Sequence, residues 1–170
     1  MKLLKNGRLE KIHYLIYLLT NGDKKRWVRQ EVVFGVIYYL TKKGIFDYIF
    51  SPSPYYWVDG VKFINYSYEV LNDINILVNE MYLNEILLSV RGFSDFIVGY
   101  GINKTLEYNF KEKEEINKIL LDENGELKKI SLTSNGIVIG DESVDLTEFK
   151  KVEYNSKAYN LKVSIWENRI

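Results

Sequence analysis

The spacing of apolar residues predicts two buried helices near the start of the chain. Leu9 to Leu19 is apolar almost all round and is followed by Asn21-Gly22, a typical helix ending. Val28 to Leu40 is rich in β-branched and aromatic residues, with Gly35 in its middle, a composition that also suits a buried strand. Its length and its Lys42-Lys43-Gly44 ending favour a helix, and the strand remains the alternative.

One apolar stripe indicates a third helix. Apolar residues recur at helical spacing from Val70 to Met81, which predicts a helix over residues 67–81 with this stripe facing a core. Ser67 is placed to cap the first turn, and Glu69 suits the positive end of the helix dipole.

Between the second and third helices the pattern predicts extended structure. Ile45 to Phe50 is expected to form a strand, and Ser51 to Pro54 a rigid turn. Asp59-Gly60 is a strong signal for a two-residue hairpin loop, with Tyr55–Val58 and Val61–Ile64 as its strands.

The second half of the chain predicts more strands and one short helix. Residues 86–110 contain two or three strands broken at Gly92 and at Gly99–Gly101, and Lys111 to Leu121 forms a charged helix. Two further hairpins are predicted, one joining Lys128–Thr133 to Gly136–Ile139 and one joining Phe149–Tyr154 to Ala158–Trp166 around Asn155-Ser156-Lys157. The order of elements predicts an α+β fold with a winged-helix-like domain over residues 1–110, a linking helix over 111–124 and a small antiparallel β meander over 125–170.

Composition limits the classes of function. The chain has no Cys and one His, which excludes disulfides and argues against a structural zinc site, so we expect no metal. The longest uncharged apolar run, Val32 to Leu40, is about half as long as a membrane-spanning helix needs. The apolar N-terminal run lacks a signal-peptide cleavage site, so we expect a cytoplasmic protein without membrane association. The single Ala and single Gln indicate translation from an AT-rich genome, archaeal or viral among the candidates.

Four segments of the first half resemble a known family. IHYLIYLLTNG and RQEVVFGVIYYL are similar to the first two helices of the Panacea-type antitoxin domains and their winged-helix-like bacterial and archaeal relatives. FDYIFSPSPYYW is similar to the aromatic extended segment of that family, and YSYEVLNDINILVNEMYLNE to its third helix. Where the family has Gly-Pro before an aromatic-Ser pair, this chain has Ile64-Asn65 before Tyr66-Ser67. The resemblance covers residues 9–90 and implies an antitoxin, a regulator or a protein of unknown function.

Charge is unevenly distributed although the net charge is zero. Residues 1–50 contain ten Lys or Arg and four Asp or Glu, residues 51–110 three and seven, and residues 111–170 ten and twelve. The positive charge therefore lies near the N-terminus, where a nucleic-acid contact is easiest to place.

The candidate nucleic-acid site is the basic cluster that precedes the second helix. Lys24, Lys25, Arg26 and Arg29 lie within six residues and are predicted to contact phosphates, while Trp27 stacks on a base or a sugar. The alternative is a solvated loop whose Trp covers the core.

The third helix is less suited to DNA by its charge. Its predicted outward positions are Glu69, Asn72, Asp73, Asn75, Asn79 and Glu80. Asn reads adenine in the major groove, but three carboxylates would be repelled by phosphates. We therefore expect any DNA to bind at the N-terminal basic edge.

The aromatic group of the central segment is a candidate protein-binding surface. Tyr and Trp are common at interfaces because they bury a large area at modest entropic cost. The predicted partner-binding residues are Tyr55, Tyr56, Trp57, Tyr66 and Tyr68, and the alternative for each is packing in the core.

Catalytic chemistry has little support in the sequence. His13 is expected to be a buried, hydrogen-bonded histidine, and no Ser-His-Asp or Cys-His arrangement is available. Glu148-Phe149-Lys150 with Asp141 or Asp145 has the spacing of a metal-dependent nuclease, but such triplets arise by chance in a highly charged chain.

Together the patterns predict a non-enzymatic regulatory protein without a cofactor. The first hypothesis is a transcription regulator or antitoxin-like module that binds double-stranded DNA through the basic edge. The alternative is a protein–protein adaptor or assembly factor that dimerises through the β meander. Either form is expected to be a homo-oligomer with a protein partner.

Overall fold

The computed structural model describes residues 7–89, 96–156 and 161–167 and confirms an α+β fold. The helices are α1 (Gly7–Leu19), α2 (Gln30–Lys42), α3 (Tyr68–Asn79) and α4 (Lys113–Leu120). The strands are β1 (Val28–Arg29), β2 (Ser51–Trp57), β3 (Gly60–Tyr66), β4 (Leu83–Ser89), β5 (Phe96–Ile102), β6 (Ile130–Leu132), β7 (Gly136–Ile139), β8 (Glu142–Asp145), β9 (Lys150–Ser156) and β10 (Leu161–Glu167).

The predicted helices are present, and local signals define their ends. α1 ends before Asn21 and Gly22, which both adopt positive φ angles, as a left-handed helix ending requires. α3 begins after Ser67, whose hydroxyl accepts a hydrogen bond from the Val70 backbone N–H at 3.3 Å. α2 is a helix rather than a strand, although its first predicted residues, Val28 and Arg29, form the short strand β1.

A three-stranded antiparallel sheet contacts the helices α1, α2 and α3. Its strand order is β1-β5-β4, with Val28 opposite Tyr100 and Leu83 opposite Ile102. The prediction that Gly99–Gly101 breaks a strand was wrong, because both glycines lie inside β5. Gly92 lies outside the described residues.

The β2–β3 hairpin lies between α2 and α3 and differs from the predicted segment in three ways. Ile45 to Phe50 forms no strand: its apolar side chains are largely buried, but its backbone forms no β-ladder with another described segment. Ser51 to Pro54 belongs to β2 rather than to a turn, because β2 is an edge strand, where proline is tolerated. The hairpin itself is confirmed, but its two-residue loop is Val58-Asp59 rather than Asp59-Gly60, because Gly60 pairs with Trp57 as the first residue of β3.

The C-terminal strands form two sheets rather than one meander. β6, β7 and β8 form a three-stranded antiparallel sheet, and β9 pairs only with β10, with Ser156 opposite Leu161. Asn155 and Ser156, predicted to form the turn, are part of β9, and residues 157–160 lie outside the described residues.

One hydrophobic core extends across the predicted boundary at residue 110. Its buried residues run from Leu9 in α1 to Leu146 after β8. α2 packs on β7 so closely that a Cβ on Gly35 would stand 2.8 Å from the Ile137 side chain. This contact explains a glycine inside a buried helix, where glycine otherwise weakens helical structure.

Candidate functional site

The basic turn of Lys24, Lys25 and Arg26 lies between α1 and β1 and is exposed. Arg26 is paired loosely with Asp23, with 3.7 Å between its Nε and the carboxylate, and its side chain remains 62% exposed. Asp23 also accepts a hydrogen bond from the Lys25 backbone N–H at 2.9 Å. The ammonium groups of both lysines make no ion pair with any described residue, so they are available to an anionic partner.

Trp27 lies against the glycines of β5. A Cβ on Gly99 would stand 2.2 Å from the Trp27 ring, and one on Gly101 would stand 2.9 Å from the Arg26 carbonyl oxygen. The indole is 38% exposed. The sequence Gly99-Tyr100-Gly101 therefore makes room for the β1 segment, and Trp27 is a partly exposed packing residue.

Arg29 faces a different environment from the basic turn. Its guanidinium Nε and Nη2 donate to the two carboxylate oxygens of Glu31 at 3.2 and 3.4 Å. Glu31 is 8% exposed, so the arginine neutralises a nearly buried charge. The structure thus separates Arg29 from the other three cations of the predicted phosphate-binding cluster.

The five predicted partner-binding aromatics divide by burial. Trp57 and Tyr66 are 1% and 7% exposed, because their faces of the hairpin pack on the core, and so neither offers a contact surface. Trp57 also donates its indole N–H to the Thr133 carbonyl at 2.7 Å. Tyr56 and Tyr68 are 45% and 67% exposed, and Tyr55 is half-buried.

Arg29 and the hairpin aromatics line one cleft of about 470 Å³. It lies between the β2–β3 hairpin, the first residues of α2 and the beginning of β5. Its lining consists of Arg29, Gln30, Glu31, Tyr55, Tyr56, Trp57, Val58, Phe96, Ile97 and Val98. This volume is typical of sites for small molecules, and the lining is mainly apolar with few polar groups.

A partly buried chain of hydrogen bonds runs from the cleft wall into the core. The Tyr55 hydroxyl donates to Gln30 Oε1, and Gln30 Nε2 donates to the Tyr100 hydroxyl, each at 2.7 Å. Burial raises the pKa of Tyr55 and, to about 12, that of Tyr100, so both phenols stay neutral. Gln30, the only Gln in the chain, therefore links β2 to β5 with its side-chain orientation fixed.

The three carboxylates predicted on the outward face of α3 differ in exposure: Asp73 is buried, Glu69 is partly exposed, and Glu80 is exposed. Asp73 is 4% exposed and accepts hydrogen bonds from Arg8 Nε at 2.9 Å and from the Tyr48 hydroxyl at 2.7 Å. Glu69 accepts from Arg8 Nη1 at 3.3 Å. The prediction that Asp73 faces outward was wrong, because the start of α1 supplies it with a cation.

The exposed face of α3 is uncharged along most of its length. Tyr68, Asn72, Asn75 and Asn79 recur at helical spacing and are all exposed. The three amides make no side-chain hydrogen bond within the described part of the chain. The accessible carboxylates lie at the two ends of α3: Glu80 is exposed, and the Glu69 side chain is 40% exposed.

One protein-family model matches most of the chain. The model described as "Uncharacterized protein MJ1567 family" matches residues 9–164, which include the helical unit, the cleft and most of the C-terminal strands. The chain belongs to the MJ1567 family. No curated protein and no solved structure matches the chain significantly. In the described residues of this MJ1567-family chain, no helix has the length and apolarity needed to cross a membrane.

His13 has the surroundings that the sequence predicts. It is fully buried, with Nδ1 at 2.8 Å from the Tyr108 hydroxyl and Nε2 at 3.3 Å from the Tyr82 carbonyl oxygen. Burial lowers its pKa to about 4, so the imidazole is neutral at physiological pH. No group of three or more His, Asp or Glu side chains among the described residues is arranged to hold a metal ion.

Several cleft residues of this MJ1567-family chain escape sequence analysis. Gln30, Glu31 and residues 96–98 carry no motif, and they meet only because β1 pairs with β5 and the hairpin folds back. Two signals point to the site in retrospect. They are the single Gln of the chain and the paired glycines of β5, which mark a close approach of another segment.

Proposed function

We propose that the protein is a non-enzymatic, DNA-binding regulator built on a winged-helix unit. The observation that carries this proposal is the arrangement α1-β1-α2-α3-β4-β5 with strand order β1-β5-β4. In this assignment α3 is the recognition helix and the β4–β5 pair is the wing. The β2–β3 hairpin is then an insertion between the second and third helices.

The proposed phosphate-binding surface is the basic turn. Lys24, Lys25 and Arg26 are exposed, and among the described residues Arg26 alone of the three forms an ion pair, at a distance typical of a weak surface contact. Each cation that neutralises a phosphate releases counterions, which makes binding sensitive to salt. Arg29 is left out of this surface because it is paired with Glu31.

The proposed base-reading surface is the exposed face of α3. Asn side chains form paired hydrogen bonds with adenine in the major groove. Asn72, Asn75 and Asn79 have free amides, and Arg8 offsets part of the negative charge of Glu69 and Asp73. The basic turn would position the protein on DNA and α3 would give sequence specificity, since phosphate contacts position a protein and base contacts specify the sequence.

Fluorescence anisotropy of labelled duplex DNA at several salt concentrations tests the proposal. The triple variant Lys24→Glu/Lys25→Glu/Arg26→Glu should weaken binding to every duplex and reduce the salt slope by up to about three units. The matched control is Lys111→Glu/Lys118→Glu/Lys129→Glu, which reverses three exposed lysines before, on and after α4. It changes net charge equally and should have a much smaller effect.

A second variant separates base reading from phosphate binding. Asn72→Ala/Asn75→Ala/Asn79→Ala should leave binding to mixed-sequence DNA nearly unchanged and reduce the preference for a selected target sequence. Each lost amide–base pairing should cost about tenfold in that preference. Absence of duplex binding at low salt contradicts the regulator, and equal effects of the two charge reversals contradict the basic turn as its surface.

An apolar face of the hairpin supports the alternative, a protein–protein adaptor. Pro54 lies opposite Phe63, and Tyr56 opposite Val61, and all four side chains are exposed. By contrast, residues 103–149 expose no large apolar side chain, so β6–β8 is a weaker candidate for the dimer contact. An adaptor predicts that Val61→Asp/Phe63→Asp lowers the oligomeric state in sedimentation experiments while the basic-turn variant does not.

We also propose that the protein acts in the cytoplasm as a homo-oligomer. An antitoxin-like role draws on the resemblance of residues 9–90 to Panacea-type domains. It is tested by co-expression with the product of a neighbouring gene that is toxic alone: rescue supports the role, and continued toxicity contradicts it.

A further inference from the structure

The cleft between the hairpin and β5 has chemistry that the proposed DNA-binding surfaces do not use. Its rim carries two exposed aromatic rings, Tyr56 at 45% and Phe96 at 61%, together with Val58. Exposed aromatic rings on both sides of a concave site of this volume suit a flat apolar molecule placed between them.

The hydrogen-bond donors and acceptors left unused in the cleft indicate which charge that molecule should carry. Both oxygens of Glu31 are occupied by Arg29. An arginine has five N–H donors, and Arg29 uses two of them within the described part of the chain. The Gln30 amide donates one N–H to Tyr100 and accepts one hydrogen bond from Tyr55, which fixes its orientation. Among the described residues of the cleft, the largest set of unused donors is therefore the three remaining N–H groups of the Arg29 guanidinium.

Arg29 is also held in place for recognition. Its side chain is 37% exposed, while its partner Glu31 is almost covered, with 10% of its side chain exposed. The buried carboxylate anchors one edge of the guanidinium plane and leaves the other edge open. Such a fork matches the geometry of a carboxylate better than that of an uncharged acceptor.

We propose that this cleft binds a small aromatic carboxylate, with its ring between Tyr56 and Phe96 and its carboxylate on Arg29. The site is independent of the proposed DNA-binding surfaces, because none of its lining residues belongs to the basic turn or to α3. Its occupant would contact the hairpin that leads into α3 and the strand β5 at the same time.

The test uses 2-naphthoate and its uncharged analogue 2-naphthamide as matched probes of the full-length chain. Amide NMR spectra recorded during titration should show saturable shifts at residues 30, 56 and 96–98 for both probes. The carboxylate should bind about tenfold more tightly, since it gains a charge-assisted hydrogen bond. Saturable shifts confined to other surfaces, or no saturable shift, overturn the proposal.

Two variants identify the role of the ion pair. Glu31→Gln frees the guanidinium from its internal carboxylate and should tighten 2-naphthoate binding several-fold while leaving 2-naphthamide unchanged. Arg29→Gln/Glu31→Gln leaves no unpaired buried charge and should reduce the affinity for 2-naphthoate to that for 2-naphthamide. Equal responses of the two probes to these variants would contradict the assignment of Arg29.

A third variant tests the aromatic wall separately. Tyr56→Ala should weaken both probes alike, because it removes ring contact without affecting the charge of the site. Tyr68→Ala is the matched control, since Tyr68 is another exposed tyrosine but lies outside the cleft. Loss of affinity in the control equal to that in Tyr56→Ala would overturn the proposed location.

Discussion

Two arginine–carboxylate sites of this protein differ in how completely the arginine is used. Arg8 lies within 4 Å of three carboxylates, those of Asp47, Glu69 and Asp73, and its guanidinium stacks on Tyr48 at 4.4 Å from the ring centre. Arg29 has one carboxylate partner and an edge open to a cleft.

The difference separates a structural role from a recognition role. Arg8 joins the start of α1 to α3, and its contacts are made within the protein, so its removal should be felt as lost stability. Arg29 keeps free donors on a concave surface, so its removal should be felt mainly as lost binding. Changes at the Arg8 site should therefore lower mainly the stability of the fold, and changes at Arg29 mainly the affinity for a ligand.

The largest effect is expected at Asp73. Asp73→Ala removes the acceptor of both Arg8 and the buried Tyr48 hydroxyl, and we expect the free energy of unfolding to fall by about 3 kcal/mol. Urea unfolding followed by circular dichroism measures it. Asp47→Ala is the control, because Asp47 is 81% exposed, and it should cost less than about 0.5 kcal/mol. Equal losses in the two variants would contradict a buried structural site.

The second prediction concerns how stability depends on pH at His13, a neutral buried contact of α1, in contrast to the charged contact of Arg8 with Asp73. Burial lowers the pKa of His13 to about 4 from an ordinary value of 6.5. The unfolded state then binds more protons between these values, so stability is complete above about pH 6.5 and is lost as pH falls toward about 4. The loss should reach up to about 3 kcal/mol, measured as urea midpoints across this range. His13→Gln should remove this part of the pH dependence, and an unchanged profile would contradict it.

The third effect concerns the scaffold that places Arg29. Gly99 lies opposite Arg29 in the β1–β5 pair, and a side chain there would collide with the Trp27 ring. Gly99→Ala should cost about 2 kcal/mol of stability and change the Trp fluorescence, because Trp27 must move. Gly7→Ala is the control, since a Cβ at Gly7 meets no atom within 4 Å. Unchanged stability of Gly99→Ala would show that β1 shifts freely.

The sequence predicts those features of the fold that depend on signals from neighbouring residues. Ser67 as a cap, Asn21-Gly22 as an ending and Asp59-Gly60 as a hairpin signal each act through neighbours along the chain, and the structure contains all three features. Ser51 to Pro54 misled the prediction because prolines favour both turns and edge strands.

The Arg8 site and the cleft beside Arg29 depend on distant residues and escape such reasoning. Arg8 and Asp73 are separated by 65 residues, and Gln30 and Tyr100 by 70. The sequence assigned Arg29 to the basic cluster because of its neighbours, and Asp73 to the helix surface because of its helical position. For Asp73 the partner that turns the side chain inward comes from another element. Arg29 pairs with Glu31, two residues along the chain, and it is the cleft around this pair that distant elements form.

The smallest effect on stability is expected at the Arg29–Glu31 pair. Glu31→Gln removes a charge whose partner can turn to solvent, and the free energy of unfolding should fall by less than about 1 kcal/mol. Arg29→Gln should cost more, because it leaves the nearly buried Glu31 carboxylate without a cation. The double variant should recover part of that loss. This order, measured by urea unfolding, identifies Glu31 as the group that needs its partner; equal costs for the two single variants would make the pair an ordinary surface contact.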